Sequence, residues 1–309
     1  MTQPLHVAVG VIRDGDGRIL LTQRAKHAHQ GGLWEFPGGK LETNESITEA
    51  LRRELREEVG IEVEAAKPLI KIHHHYPDLQ VLLDVWQVEH FSGVATACEG
   101  QAMCWVAPQQ LHDYSFPAAN RPIIAAALLP DRYAILDGHS SAKVLENFHK
   151  ILEKNVSLLQ LRIKSLPTTE MQAVYTAVHA QCRQHKIRLL INSDLPIAET
   201  ATVDGLHLSS RALLATKARP SGQNWVAASC HNLEELQHAQ HIGVDFVVLA
   251  PVFPTSSHPQ AQSLGMEKLA LLIEQINLPV FALGGLSLND IEMVKYAGGQ
   301  GIAGISAFL

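Results

Sequence analysis

Between Gly39 and Ile61 the chain reads Arg53-Glu54-Leu55-Arg56-Glu57-Glu58, on a stretch where Ile47, Ala50, Leu51 and Leu55 recur at helical spacing. A helix over 46–59, stopped by Gly60, places Glu54, Glu57 and Glu58 at i, i+3 and i+4 on one face. Three carboxylates that close repel one another unless a partner compensates them; a solvated charged face is the plain alternative. The lead-in Glu35-Phe36-Pro37-Gly38-Gly39 favours a partner, because a bent glycine backbone brings carbonyls and amides up to that face. Oxygen-only donors suit Mg2+ or Mn2+, which pair naturally with substrate phosphates.

The elements that must position this face fall into two rhythms. Strand-like runs at 6–12, 18–22, 81–88 and 103–106 surround the helix, with Asp14-Gly15-Asp16-Gly17 as hairpin chemistry between the first two. A second helix is expected over 120–129, ended by Pro130. Beyond it, short strands at 133–136, 157–163, 188–191, 205–208, 225–229, 246–250, 280–283 and 301–304 alternate with helices at 142–154, 169–185, 233–242, 266–276 and 288–296. That alternation predicts parallel βα units and a (β/α)8 barrel whose last helix is truncated. The expected organisation is an α+β domain over 1–130, a mixed sheet between helices, followed by the barrel domain over 131–309.

Length and composition agree with two cores: 309 residues, 46% hydrophobic and 18% charged. With 25 basic and 31 acidic residues the net charge is −6, which argues against long nucleic acid or an anionic membrane as partner. Cys98, Cys104, Cys182 and Cys230 form no CxxC pair and read as reduced thiols, so a cytoplasmic protein is expected. The opening MTQPLHVAVG has no basic stretch before an apolar run, and no apolar run approaches the ~20 residues of a membrane span.

Gly39, five residues, Glu45, seven residues, then Arg53-Glu54-Leu55-Arg56-Glu57-Glu58-Val59-Gly60-Ile61 resembles the Nudix box without a departure. Around it VAVGVIRD, ILLTQRAKHAH, EFPGGKLE, Glu99-Gly100-Gln101 and Phe116-Pro117-Ala118-Ala119-Asn120 extend the resemblance over roughly 5–129, to Nudix hydrolases of the MutT, 8-oxo-dGTP diphosphatase type. The resemblance implies that Glu54, Glu57, Glu58 and Glu99, with the Gly38 carbonyl, hold Mg2+ or Mn2+, and that Glu99 acts as ligand or base. It implies a structural pairing of Glu45 with Arg53, an Arg24 that contacts phosphate or nucleotide, an Asn120 that reads a purine edge, and a base pocket lined by Phe36 and Tyr76. The implied reaction is hydrolysis of a purine nucleoside triphosphate, 8-oxo-dGTP to 8-oxo-dGMP and pyrophosphate, with Glu54 or Glu99 as the general base. Such an enzyme serves nucleotide-pool sanitation and mutation avoidance in DNA repair and replication.

The second half resembles the thiamine phosphate synthase/TenI-like barrels through Gln160-Leu161-Arg162-Ile163-Lys164, Ile191-Asn192, Asp204-Gly205-Leu206-His207-Leu208, Ser229-Cys230-His231, Pro251-Val252-Phe253-Pro254-Thr255, Gly284-Gly285 and Gly304-Ile305-Ser306. It implies a barrel site at Arg162, Lys164, Asn192, His231, Gly285 and Ser306, with a phosphate-bearing ligand at Gly285 and Ser306. The departures bear on the activity. Ser193 and Ala212 stand where the synthase pattern has its two Mg2+ aspartates, although Asp194 is a nearby carboxylate, and Ser256-Ser257-His258 replaces its pyrophosphate lysine. Synthase activity is not expected. TenI-like relatives move a proton without metal, and His231 falls at the matching histidine; its other reading is a cap on the helix that follows. Two further readings stay open: a hydrolase of a thiamine-pathway pyrophosphate with the barrel binding the related product, and a barrel that serves only as a non-catalytic scaffold.

The remaining histidines suggest little chemistry. His73-His74-His75 alternate faces on a strand, so they cannot converge on one ion and read as a polar strand or loop. His27 and His29 lie in the loop before the helix without a defined role, and His139, His149, His179, His185, His238 and His241 read as surface positions.

Overall fold

A computed structural model of the chain describes residues 4–25, 30–76, 79–255 and 262–309. The chain divides into two compact units, Met1–Leu128 and Leu129–Leu309. Among the described residues no helix is long and apolar enough to cross a membrane.

The first unit runs β1 (Leu5–Ile12), β2 (Ile19–Gln23), β3 (Trp34–Glu35), β4 (Gly38–Lys40), α1 (Ile47–Val59), β5 (Glu62–His75), β6 (Gln80–Ser92), β7 (Met103–Val106) and α2 (Arg121–Leu128). One mixed sheet has the order β4-β1-β6-β5 and a second the order β3-β2-β7. In the first, β1 is parallel to β6 and antiparallel to β4. Alternation along β1 sends Ala8 and Ile12 to the α1 side, with Leu51, Leu55 and Val59, and Val9 and Val11 to the α2 side, with Ile123 and Ala126. Helix α1 lies close to the sheet: a Cβ on Gly10 would fall 2.8 Å from the Leu55 side chain.

Helix α1 forms where its signals place it. Ser46 caps it in a reciprocal capping box with Glu49, and Gly60, at φ 68°, ends it in a left-handed cap. Two expectations are corrected here. The Asp14–Gly17 segment does not join two strands of one hairpin: β1 and β2 lie in different sheets, linked by a single Arg13–Ile19 bridge. Asp14 accepts hydrogen bonds from the Asp16 and Arg18 N–H groups, and this turns the chain into the second sheet. Strand β5, absent from the sequence reading, occupies the sheet edge, a position that tolerates Pro68, which lies opposite Trp86 beside a register shift.

The second unit runs β8 (Arg132–Leu136), α3 (Ser141–Leu152), β9 (Leu158–Leu161), α4 (Thr168–Gln184), β10 (Arg188–Asn192), β11 (Gly205–Leu208), α5 (Ser210–Ala215), β12 (Trp225–Cys230), α6 (Leu233–Ile242), β13 (Phe246–Leu249), α7 (Gly265–Ile273), β14 (Val280–Leu283), α8 (Ile291–Tyr296) and β15 (Gly301–Gly304). Strands β8 to β15 close into a parallel barrel, and a 3₁₀ turn, Ser306–Phe308, follows β15. All eight expected strands are present; the short helix α5 was not foreseen. Alternating side chains fill the barrel interior, led by Tyr133, Phe246 and Phe281, whose ring centroids lie 5.4–5.6 Å apart.

Candidate functional site

The α1 face is organised by Arg53. Its guanidinium donates to Glu45 at 2.9 and 2.8 Å, to the Lys40 carbonyl at 3.0 Å, to Glu54 at 2.8 Å and to Glu57 at 3.3 Å. The hydrogen bonds from Arg53 pull the Glu45 carboxyl down to about 2, so it stays charged. Strand β4 lies against this face. The Gly38 N–H donates to Glu58 Oε2 at 2.8 Å, and a Cβ on Gly39 would fall 2.1 Å from Glu54 Oε2. Gly38 itself has φ 151°, and a Cβ there would stand 2.1 Å from the Ala8 carbonyl oxygen. Only glycines fit between β1 and α1.

Burial raises the Glu58 carboxyl above its ordinary range, the charges of Glu99 and Glu54 add to the rise, and the Gly38 N–H opposes it. Glu99 is exposed on the segment after β6; Gln101 accepts its N–H at 3.0 Å and donates to the Glu58 carbonyl at 2.8 Å, which ties that segment to the end of α1. Among the described residues no three Asp, Glu, His or Cys side chains converge in a metal-holding geometry. Glu54 and Glu57 are drawn to Arg53, and Glu58 to a backbone amide. The chemistry of the set nonetheless fits a hard divalent cation: every donor is an oxygen, and positive charge among Glu54, Glu58 and Glu99 relieves the repulsion that raises Glu58.

Beside these carboxylates opens a cleft of about 430 Å³, lined by Arg24, Glu35, Phe36, Gly38, Gly39, Tyr76 and Asn120 among others. Asn120 is 7% exposed, on the 3₁₀ turn Ala118–Asn120 before α2. Phe36 stacks on Phe116 with centroids 5.8 Å apart, and Tyr76 packs its ring against His74. The structure therefore brings the expected base-pocket residues to one cavity. It adds Glu35, which sequence reading treated only as backbone lead-in. Glu35 pairs with Arg24, and burial pushes its carboxyl up to about 7, with Arg24 opposing and the Glu58 charge adding. Its signal was a carboxylate one residue before Phe36. His73, His74 and His75 end β5 with alternating exposure, as a polar strand does. His27 and His29 lie outside the described residues.

In the barrel, the expected residues sit at the C-terminal ends of the strands, on the rim where this fold builds sites. Arg162 pairs with Asp137 at 3.0 Å; Lys164, His231, Gly285 and Ser306 are exposed; Asn192 is buried and accepts the Asp194 N–H at 3.1 Å. Gly285 takes φ 66°, and a Cβ there would stand 2.7 Å from Phe253. The two metal aspartates of the synthase pattern have no substitute: Ser193 accepts the Ser209 N–H, Ala212 packs against the core, and Asp194 is engaged by Ser209 Oγ at 2.7 Å and Arg211 at 3.4 Å. Among the described residues the barrel rim does not fit the Mg2+ of that pattern. Ser256, Ser257 and His258 lie outside the described residues.

Two histidine readings are corrected. Asn232, not His231, caps α6, because its side chain reaches the Glu235 N–H, while His231 bonds Glu235. His238 is no surface residue: it is half-buried between the Leu213 and Thr216 carbonyls, at 3.1 and 2.9 Å. A polar chain inside the barrel was also missed. Gln160 donates to Tyr133 OH at 3.4 Å, Tyr133 OH meets His207 Nδ1 at 2.9 Å, and His207 Nε2 meets Ser229 Oγ at 2.8 Å. Its signal was His207 at an inward position of a short apolar strand.

The NUDIX domain family model matches residues 8–126, and the thiamine monophosphate synthase model matches residues 132–308, more than half of the chain. The first unit is similar to the 8-oxo-dGTP diphosphatase of Escherichia coli K12, 40% identical over 121 residues (39% of this chain, 94% of that protein). It is equally similar to the CTP pyrophosphohydrolase of the same organism, 40% identical over 118 residues (38% and 87%). The second is similar to the thiamine-phosphate synthase of Fusobacterium nucleatum, 31% identical over 170 residues (53% and 82%).

Proposed function

The chain belongs to the Nudix family over its first unit and to the thiamine monophosphate synthase family over its second, and we propose that the first unit hydrolyses 8-oxo-dGTP to 8-oxo-dGMP and pyrophosphate. That unit is a hydrolase acting on pyrophosphate bonds. The observation that carries the reading is the contact of β4 with α1: Gly38 and Gly39 lie against Glu58 and Glu54 while lining the cleft that also holds Asn120. A polyphosphate entering beside Gly38 meets the carboxylate face, and its base reaches Asn120, whose amide offers one donor and one acceptor to a purine edge.

Glu54, Glu57, Glu58 and Glu99, with the Gly38 carbonyl, would hold Mg2+ or Mn2+. When bound, the cation neutralises polyphosphate charge and acidifies the attacking water. Arg53 anchors Glu54 and Glu57, Arg24 contacts the nucleotide, and Glu54 or Glu99 accepts the proton as water attacks the β-phosphorus. Glu45 with Arg53, and Gly39 with Gly60, fix the backbone of the face. The four free cysteines fit a reducing compartment such as the cytoplasm.

The test compares kcat/KM for 8-oxo-dGTP, dGTP, CTP and thiamine diphosphate on the full chain. A preference for 8-oxo-dGTP supports the proposal. A preference for CTP transfers the reading to the other relative's substrate, and one for thiamine diphosphate to a thiamine-pathway pyrophosphate; either outcome overturns it.

For the barrel, the absence of carboxylates at positions 193 and 212, together with a carboxylate-bonded His231, favours metal-independent acid–base chemistry on a small phosphate-bearing ligand over synthase chemistry. A thermal shift with thiazole phosphate or thiamine phosphate supports a ligand-binding barrel. No shift with either, and unchanged hydrolysis after deletion of the barrel, indicates a scaffold.

A further inference from the structure

Glu235 lies in the first turn of α6 with 8% of its surface exposed, and both of its carboxylate oxygens are engaged. Oε2 accepts the His231 backbone N–H at 2.7 Å and stands 2.9 Å from His231 Nδ1, while Oε1 accepts the Ser210 hydroxyl at 2.9 Å. An ionised carboxylate only accepts hydrogen bonds, and the His231 backbone N–H and the Ser210 hydroxyl both donate to this one. Nδ1 is therefore the donor, and in the neutral ring Nε2 is left bare. The ring itself is half exposed at the C-terminal end of β12, while the carboxylate behind it is covered.

Ser210, which fixes Oε1, belongs to α5. The same short helix holds Ala212, where the synthase pattern would place a metal-binding aspartate. The buried carboxylate on this part of the rim thus serves an imidazole.

We propose that Glu235 is a positioning residue that locks His231 in the Nδ1–H tautomer and leaves Nε2 as the proton acceptor of the barrel rim. The inference rests on the acid–base reading of the barrel given above and names the group that makes it work. The ligand class is a small phosphate-bearing molecule with a proton that a neutral imidazole can remove.

The experiment is a long-range ¹⁵N–¹H correlation spectrum of the full chain with ¹⁵N-labelled histidine, recorded at about pH 8, where an ordinary imidazole is neutral. His231→Asn identifies the His231 signals. The wild type is expected to show the Nδ1–H pattern. Glu235→Gln keeps that pattern, because its amide oxygen accepts in place of Oε2; Glu235→Leu loses it, towards the Nε2–H form or an average of the two. An Nε2–H pattern in the wild type overturns the inference without any variant, and so does an unchanged pattern in Glu235→Leu. The spectrum needs no substrate, so a barrel that turns nothing over fails the acid–base reading while leaving this result standing. Turnover lost in His231→Asn but retained in Glu235→Leu would keep the reading and overturn the role of Glu235.

Discussion

Gly39 and Glu54 stand so close that a methyl group on Gly39 would lie 2.1 Å from Oε2 and 2.2 Å from the carboxyl carbon. A side chain cannot occupy that space without moving a carboxylate that is also held by Arg53 at 2.8 Å. The position of Glu54 is set from both sides, by β4 and by its own helix.

Gly39→Ala is therefore expected to displace Glu54 and to lower kcat by about 100-fold, the scale of an ångström-sized misplacement of a catalytic group. KM for the nucleotide should change much less, because Phe36, Tyr76 and Asn120 of the same cleft are unaltered. Steady-state kinetics decide it; a KM effect with kcat intact would place the damage in binding.

Glu57 has a 56% exposed side chain whose ion pair with Arg53, at 3.3 Å, is an i,i+4 pair worth only ~0.3–0.5 kcal/mol. Glu57→Gln should leave the melting temperature nearly unchanged while cutting kcat about 1,000-fold, as loss of several kcal/mol of charge stabilisation requires. Activity near wild type in a folded Glu57→Gln variant would remove the carboxylate face from the reaction.

Asn120 is the buried amide of the cleft, at 7% exposure. Asn120→Ala removes a hydrogen-bonding pair worth about 1–3 kcal/mol, or roughly 10- to 100-fold in discrimination. The ratio of kcat/KM for 8-oxo-dGTP over dGTP should collapse towards unity. An unchanged ratio would assign base reading to another residue of the cleft, with Glu35 the next to substitute.

These sites differ in how far the sequence alone reveals them. Helix α1 is legible because Ser46, Glu49, four buried apolar residues and Gly60 all act within one segment. The barrel strands are legible because each is a short apolar run between turn residues. Strand β5 is hidden by Pro68 and by bulges near Val63 and Pro68, which break the period of two; β3 and β4, at two and three residues, carry no period at all. The residues of the carboxylate face are likewise fixed by spacing, but their partners are not. That Glu35 sits near neutrality depends on burial in a cleft assembled from distant segments, and that Glu235 serves His231 depends on Ser210 arriving from another βα unit. Long-range packing sets these properties, and periodicity does not report it.

His207 gives the barrel a pH signature. It is 1% exposed between Tyr133 OH and Ser229 Oγ, and burial, aided by the Arg162 charge, pushes its pKa down to about 3. In the unfolded chain the ring takes up a proton below about pH 6.5, whereas the folded protein keeps it neutral until about pH 3. The unfolded state then binds more protons across that window, so acidification favours unfolding. The contribution is fully present above about pH 6.5 and falls by about 1.4 kcal/mol per unit as the pH drops towards 3. Urea denaturation of the full chain at several pH values, with the barrel transition followed separately from that of the first unit, measures the slope. His207→Gln should lower stability near neutrality and flatten the acid slope by about one proton. An equally steep slope in that variant would move the acid sensitivity to other groups.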